Sequence, residues 1–207
     1  MPDLRLDKGR ATRDRLIAAA SELFGQRGYE STSIEAILSA AGVKRGSLYH
    51  HFASKEALFD AVLDRQIAGI SDAIAAAARA AGPDPVASLR AGCSSWLQMA
   101  LDPSIQRITL LDAPAVVGWT RWRELDGRHT LGRLRANMFR IANNSDLPTD
   151  DVDVLAHMLL AALSEAALLI ARAGDPETAL AAGQAALETL LDRLTGETAK
   201  RVDDSRD

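Results

Sequence analysis

A short basic segment near the N-terminus carries side chains that are suited to reading a nucleic acid. Lys44, Arg45 and Ser47 stand close together at the start of a short helical pattern that ends at Phe52. An arginine can donate two hydrogen bonds to guanine O6 and N7 in the major groove of DNA. Hydroxyl groups, lysine side chains and helix N-termini are common partners of phosphate oxygens. The segment therefore predicts contact with double-stranded DNA.

Two short helices joined by a tight turn are expected to present these side chains. Residues 32–35 (TSIE) match a capping box, with Thr32 or Ser33 as the N-cap, and predict a helix start. Gly42 can adopt the left-handed conformation that a tight turn needs. Leu48 and Phe52 give the second helix an inward face. Packed on a longer amphipathic helix, this pattern predicts a helix-turn-helix, whose second helix enters the major groove.

The segment holds eight predicted DNA contacts: Thr32, Ser33, Lys44, Arg45, Ser47, Tyr49, His50 and Lys55. Arg45 is the predicted base reader, because it leads a helix whose other face is apolar. Tyr49 has an alternative as a core aromatic with its hydroxyl at the surface, and Lys55 as a solvated first-turn residue. His50 and His51 are adjacent and point about 100° apart on a helix, so they cannot both bind one metal ion.

The same residues resemble the signature of the TetR/AcrR-type bacterial repressors. The resemblance rests on residues 32–37 (TSIEAI) and 41–58 (AGVKRGSLYHHFASKEAL), and it departs at Leu38, where that family usually has alanine. It implies an all-α homodimer with an N-terminal DNA-binding domain and a variable C-terminal domain that binds a small effector and releases DNA. It also implies base reading by Arg45, with Lys44 as a second candidate. Backbone contacts are implied for Ser33, Ser47, Tyr49, His50 and Lys55.

Charge is divided unevenly along the chain. The formal net charge is −4, but residues 1–55 hold nine Lys/Arg and six Asp/Glu, so this part carries +3 and the remainder −7. A basic segment can meet phosphate while an acidic body keeps the chain in solution. The single cysteine, Cys93, excludes a disulfide within the chain and favours a reducing compartment. Without a signal-peptide core or an apolar run of 18 residues, a cytoplasmic location and no membrane contact are predicted.

Residues that mark the starts of helices recur along the rest of the chain. Ala and Leu dominate, no strand-like alternation appears, and three Asp-Pro pairs mark helix starts at residues 84, 102 and 175. We predict an all-α fold of about nine helices. An N-terminal three-helix domain over residues 1–53 binds DNA, and a larger helical bundle over 54–195 binds effector and dimerises. Residues 196–207 form a polar, disordered tail. The expected helices are 10–27, 33–40, 44–51, 54–80, 85–100, 103–112, 119–143, 150–173 and 176–195.

The larger domain has the residue types of an apolar ligand cavity. Tryptophan and methionine are good walls for such a cavity between the helices of a bundle. The alternative is that tryptophan only fills an alanine-rich core. The predicted effector contacts are Trp96, Met99, Leu110, Trp119, Trp122, His129, Met138 and His157.

The last two helices have the pattern of a subunit interface. Residues 152–173 are apolar all round, and the last helix has a seam at heptad spacing. Two such helices and their copies would form a four-helix bundle across a two-fold axis, unless the seam is buried within one chain. The predicted interface residues are Leu155, Leu159, Ala162, Ala166, Leu180, Gln184, Leu187 and Leu191.

These patterns predict a regulator of transcription that is a repressor, leaving a palindromic operator when a small apolar or amphipathic effector binds. A DNA-binding regulator without an effector is the alternative. An all-α enzyme is disfavoured, because the chain has no HExxH, no Glu-x-x-His pair, no phosphate loop and no Cys-His-Asn signature around Cys93. No cofactor and no metal are predicted.

Overall fold

The structure is a computed structural model that describes residues 4–145 and 147–196. Nine helices and no strand are found in these ranges, so the prediction of an all-α fold is confirmed. The predicted tail at 196–207 lies outside the described residues except for Gly196. The helices are α1 (Leu4–Arg27), α2 (Ile34–Ala41), α3 (Arg45–His51), α4 (Lys55–Ala80), α5 (Pro85–Met99), α6 (residues 103–116), α7 (residues 119–142), α8 (Val152–Arg172) and α9 (Pro176–Thr195).

Local signals set most helix ends. Asp84, Asp102 and Asp175 each accept hydrogen bonds from backbone N–H groups of the helix that follows, with proline in the first turn, as the Asp-Pro pairs predict. The first helix begins at Leu4 rather than near residue 10, because the intervening residues include no proline to stop it.

Two helices contain π-helical turns that the sequence did not predict. Residues Gln106–Asp112 form one within α6, and Gly127–Leu131 form the other within α7. A π-turn adds one residue to the helical repeat and is frequent at functional sites. The apolar pattern of a short helix does not resolve one inserted residue, so periodicity alone could not find them.

The chain divides into two compact units. The first contains Met1–Ile67 and Asp102–Arg123, and the second contains Ala68–Leu101 and Glu124–Asp207. Segment 102–123 thus belongs with α1 to α3 and the first part of α4, so the first unit is larger than the three-helix segment 1–53. The division falls within α4 rather than before it.

The first unit has an aromatic and aliphatic core with a few polar ties. Leu16, Phe24 and Phe59 are fully buried in it. Arg121 donates from Nε and Nη2 to the two carboxylate oxygens of Asp60, at 2.8 and 2.9 Å. These two bonds attach the start of α7 to α4 in the planar geometry that Arg–carboxylate pairs favour.

The second unit is a bundle of α5, α7, α8 and α9 with the end of α4. Leu97, Met138 and Leu160 lie in its core. The side chain of Arg90 pairs with Glu188 and Asp192, which ties α5 to α9. A core built from four helical faces explains why the sequence of this part is apolar on more than one side.

One helix among the described residues is long and apolar enough to cross a membrane by length and composition. The most apolar 18 residues within Thr149–Arg172 have a mean hydropathy of 2.0, and 44% of that stretch is buried. The prediction that no such run exists is therefore corrected. The core helices of soluble proteins can have the same length and composition, so an apolar helix of this length is weak evidence for a membrane span.

Candidate nucleic-acid interface and apolar groove

The turn between α2 and α3 has the geometry of a helix-turn-helix. Gly42 adopts φ 64° and ψ 39°, the left-handed conformation that ends α2. The N–H of Val43 donates to the carbonyl of Leu38 at 3.1 Å and closes this end of the helix. Leu48 and Phe52 are buried on the inward side of α3. The opposite side of α3 therefore faces solvent.

That solvent side carries most of the predicted DNA contacts. Lys44, Arg45 and His50 are exposed, and Ser47 is half-buried. Lys44 is the N-cap residue of α3 and makes no side-chain cap, because an ammonium group has no lone pair to accept from a backbone N–H. The Tyr49 side chain is 47% exposed, which favours a surface role over the core alternative. Four charged or hydrogen-bonding side chains and one aromatic ring thus share the outward face of a short helix.

Arg45 has one described partner in the free protein. Its Nη2 lies 3.0 Å from Oε1 of Glu35 on α2, and both side chains are more than half exposed. An exposed ion pair of this kind contributes about 0–1 kcal/mol. The pair orients the guanidinium group beside the start of α3, and DNA could replace it at little cost.

Thr32 is not placed to contact phosphate, and that prediction is corrected. Its side chain is only 1% exposed. The hydroxyl group donates towards the carbonyls of Gly28, at 2.8 Å, and Leu23, at 3.2 Å. Ser33 is the exposed N-cap residue of α2, and its Oγ accepts from the N–H of Ala36 at 3.1 Å. The capping-box pattern runs from Thr32 to Glu35, but the observed N-cap is Ser33, so the third helical position is Ala36 and the predicted capping box does not form.

Lys55 begins α4 beside an aromatic ring that sequence reasoning missed. Its Nζ lies 4.1 Å from the ring centroid of Tyr29, which is within the range of a cation–π contact. Ser54 caps α4 through a hydrogen bond from the N–H of Ala57 at 3.1 Å. The Lys55 side chain is therefore half-buried and oriented rather than freely solvated.

The eight predicted effector residues are divided between the two units. Trp119 and Trp122 are neighbours in the first unit, with ring centroids 4.9 Å apart, and Trp119 is 59% exposed. Leu110, Trp122 and Met138 are buried in helix packing, which favours the filled-core alternative for these three. The first unit holds Leu110, Trp119 and Trp122, and the second holds Trp96, Met99, His129, Met138 and His157.

Two of the remaining effector candidates have clear structural surroundings. The indole Nε1–H of Trp96 donates to the carbonyl of Leu163 at 3.1 Å, which ties α5 to α8. His157 is exposed on the surface of α8. Met99 and His129 are half-buried. None of the eight lines the cavity described next.

An apolar groove of about 440 Å³ runs along α8 and α9 in the second unit. Four of the predicted interface residues line it: Leu159, Ala162, Ala166 and Leu187. The other wall residues are leucine, alanine and one glycine, from Leu97 to Leu190. A groove with almost no polar wall suits an apolar partner surface more than a polar ligand.

The heptad seam of α9 lies on the inner side of its own subunit. Leu180 and Leu187 are almost covered, and Leu191 is fully covered, by the same chain. The apolar surface that remains outside is a stripe on α8, formed by Val154, Met158 and Leu169, each more than 60% exposed. Leu190 of α9 adds to it. The all-round apolar pattern of α8 was the signal for this stripe, since one helix cannot bury every face in one bundle.

Two protein-family models match the chain, one in its N-terminal part and one in its C-terminal part. Residues 16–62 match the family described as "Bacterial regulatory proteins, tetR family". Residues 86–194 match the one described as "Tetracyclin repressor-like, C-terminal domain". The two matches together cover most of the chain, including α2, α3 and the groove helices.

Individual proteins are also similar to this chain. A TetR-family transcriptional regulator from Pectobacterium atrosepticum is 34% identical, with a TM-score of 0.80 over 91% of this chain and 96% of that one. The regulator UidR of Escherichia coli is 41% identical over 63 residues, which span 30% of this chain and about a third (32%) of UidR. The structure of RolR in complex with its ligand resorcinol is 19% identical, with a TM-score of 0.69 over 92% of this chain and 95% of RolR, and shares the fold.

These matches confirm the predicted resemblance to the TetR family. The prediction that the protein is not an enzyme follows as well, because the family consists of regulators. The chain belongs to the TetR family of DNA-binding transcriptional regulators.

Proposed function

We propose that the protein is a homodimeric, cytoplasmic repressor that binds a palindromic operator and leaves it when a small molecule binds. The observation that carries the proposal is the outward face of α3, where Lys44, Arg45 and Tyr49 are exposed on a helix anchored by buried Leu48 and Phe52. Such a helix can enter the major groove with its N-terminal residues at the base edges. Arg45 reads a guanine, and the hydroxyl and basic side chains around it hold phosphates.

A second copy of the chain is the proposed occupant of the stripe and groove on α8 and α9. Covering Val154, Met158 and Leu169 removes large apolar side chains from water, which is the main favourable term in association. A two-fold axis places the same patch on both subunits and sets two recognition helices about 34–36 Å apart. A lipid bilayer is the other environment for such a stripe. The exposed Glu165 lies on the same side of α8 and disfavours a bilayer.

A small apolar or amphipathic molecule is the proposed effector. RolR, which shares the fold, binds resorcinol in its structure. In the present chain five of the eight effector candidates are not buried in helix packing: Trp96, Met99 and His129 are half-buried, and Trp119 and His157 are exposed. An effector releases DNA only to the extent that it binds the released conformation more tightly. A regulator without an effector remains the second candidate, because buried Leu110, Trp122 and Met138 fit a filled core.

One experiment tests both parts of the proposal. A duplex recovered from a randomised DNA pool by the full chain is labelled, and its release is followed by fluorescence anisotropy while small phenols and acyl compounds are added. We expect tight binding of the duplex and release by at least one compound class. No recovered duplex would contradict the DNA-binding part. Binding that no compound changes would favour the regulator without an effector.

A further inference from the structure

The ammonium group of Lys55 is held in place before any DNA is bound. Its Nζ stands 4.1 Å from the centroid of the Tyr29 ring. That ring is itself fixed by two neighbours, Phe24 at 5.7 Å and Phe59 at 5.2 Å between centroids. Phe24 and Phe59 are fully buried, so the ring of Tyr29 rests on the core of the first unit. Lys55 thus has a rigid aromatic platform rather than a flexible neighbour.

The backbone of Tyr29 is fixed from a distant part of the chain. Its N–H donates to Oδ2 of Asp112 at 2.7 Å, across 83 positions of sequence. The preceding residue, Gly28, has φ +80°, and a Cβ there would lie 3.4 Å from the same carboxylate oxygen. A side chain at position 28 would therefore be strained by the backbone conformation beside the point where Asp112 meets the loop. Asp112 closes the π-helical turn of α6 and so links α6 to the loop before α2.

We propose that Tyr29 and Asp112 are positioning residues for DNA binding: Asp112 holds Tyr29, and Tyr29 holds the ammonium group of Lys55 where it meets a phosphate. The inference rests on the proposed contact of Lys55 with the DNA backbone and adds two residues that do not touch DNA themselves. An ammonium group has three N–H donors, so contact with the ring face leaves donors for a phosphate oxygen. Fixing the side chain in advance removes part of the entropy cost of binding.

The ring acts through its face and not through a negative charge. Burial, followed by the nearby carboxylates of Glu56 and Glu30, raises the pKa of Tyr29 above its ordinary value. The phenol therefore stays neutral under all conditions in which DNA binding is measured. A phenylalanine at this position keeps the same attractive ring face. A leucine removes it while it keeps most of the apolar volume.

The test combines the salt dependence of DNA affinity with a direct view of Lys55. The probe is a duplex recovered from a randomised pool by the full wild-type chain, and the variants are Lys55→Gln, Tyr29→Leu, Tyr29→Phe and Asp112→Ala. Glu22→Ala is the matched control, because it removes one carboxylate from an exposed site on α1. Proton NMR of the Lys55 ε-methylene group reports the ring contact in each folded variant without DNA.

Lys55→Gln is expected to reduce the slope of log K against log salt by about 0.9 for each phosphate that the protein no longer neutralises. Tyr29→Leu is expected to weaken binding about two- to tenfold per site, the cost of immobilising one side chain, and to have no further effect in the Lys55→Gln background. Asp112→Ala shifts affinity in the same direction, whereas Tyr29→Phe and Glu22→Ala leave it near the wild-type value. The upfield ring-current shift of the Lys55 protons disappears in Tyr29→Leu and stays in Tyr29→Phe.

Full additivity of Tyr29→Leu with Lys55→Gln would overturn the proposal, because independent effects would mean that the ring does not act through the lysine. A Lys55 resonance that is the same in Tyr29→Leu and wild type would also overturn it. If Tyr29→Leu does not fold, Asp112→Ala and the wild-type resonance carry the test, since Asp112→Ala removes no ring from the aromatic cluster. Tight wild-type binding with no effect of either positioning variant rejects this inference alone. Failure of the wild type to bind any duplex rejects the proposed function as well.

Discussion

The double substitution Met158→Asp, Leu169→Asp should convert the protein into a folded monomer. The two side chains are 62% and 63% exposed in the single chain. Full burial of a Met or Leu side chain contributes about 1.5–3 kcal/mol, so covering the exposed three-fifths contributes about 1–2 kcal/mol for each. Two-fold symmetry brings four such side chains into the interface, for a total of about 4–8 kcal/mol.

A loss of this size changes the dimer dissociation constant by about three to six orders of magnitude, since each 1.4 kcal/mol is about tenfold. Sedimentation velocity from nanomolar to micromolar concentration measures the change, and far-UV circular dichroism checks the helical fold. Ala181→Asp is the control, because it adds an aspartate at an exposed site on α9 that does not line the groove. A double variant that still sediments as a dimer would refute the reasoning, as would equal dissociation of the Ala181→Asp control.

Three further substitutions test the first unit. Thr32→Val should lower the free energy of unfolding by about 1–3 kcal/mol in urea titrations, because two buried carbonyls lose their donor. The DNA affinity of the folded protein should stay unchanged. A loss of DNA affinity without a loss of stability would contradict the burial of Thr32. Glu35→Gln should change the free energy of unfolding by less than about 1 kcal/mol, because the ion pair with Arg45 is exposed. It should raise DNA affinity in anisotropy titrations, since it frees Arg45 and removes a negative charge. Weaker binding would show that Glu35 itself contacts DNA. Asp102→Ala should cost about 0.5–2 kcal/mol at pH 7, as expected for a lost N-cap. Hydrogen bonds from Ser104, first from its hydroxyl, hold the pKa of Asp102 below its ordinary value, so its contribution is complete above about pH 4 and is lost as the pH falls through the folded-state pKa. Equal costs at pH 7 and pH 3 would show that the charged cap is not responsible.

The helix-turn-helix could be predicted because its signals are local. Ser33 caps α2, Gly42 adopts the left-handed turn, and Leu48 and Phe52 lie four residues apart on the buried face of α3. Each feature depends on residues within one or two helical turns. The family resemblance uses the same residues, and so it led to the same conclusion.

Local sequence patterns could not predict which side chains are buried by tertiary packing. The capping-box pattern from Thr32 to Glu35 favours Thr32 as the N-cap, yet Thr32 is buried and the exposed Ser33 caps the helix. The contact of Tyr29 with Asp112 joins positions 83 residues apart, and no periodicity relates them. Contacts between residues so far apart in sequence depend on how whole helices pack against one another. Hydrophobic periodicity along one sequence does not show that packing.

The interface prediction shows the same limit for the heptad seam of α9. The heptad spacing of Leu180, Leu187 and Leu191 was assigned to a second copy, but these side chains are covered by their own subunit. A charge at Leu187 or Leu191 would therefore unfold the bundle rather than separate subunits. The stripe of Met158 and Leu169 is the better target, because it is exposed in the single chain.

Selection of DNA from a randomised duplex pool, carried out in parallel with the wild type and Arg45→Ala, tests the central claim most directly. The wild type should enrich an inverted repeat whose half-site centres are about 34–36 Å apart, with one strongly preferred G·C pair in each half. The Arg45→Ala protein should recover the same repeat with that preference lost and with binding weaker by about 1–3 kcal/mol. An unchanged preference at every position in the Arg45→Ala pool, or no enriched repeat with the wild type, would contradict the assignment of α3 as the helix that reads DNA.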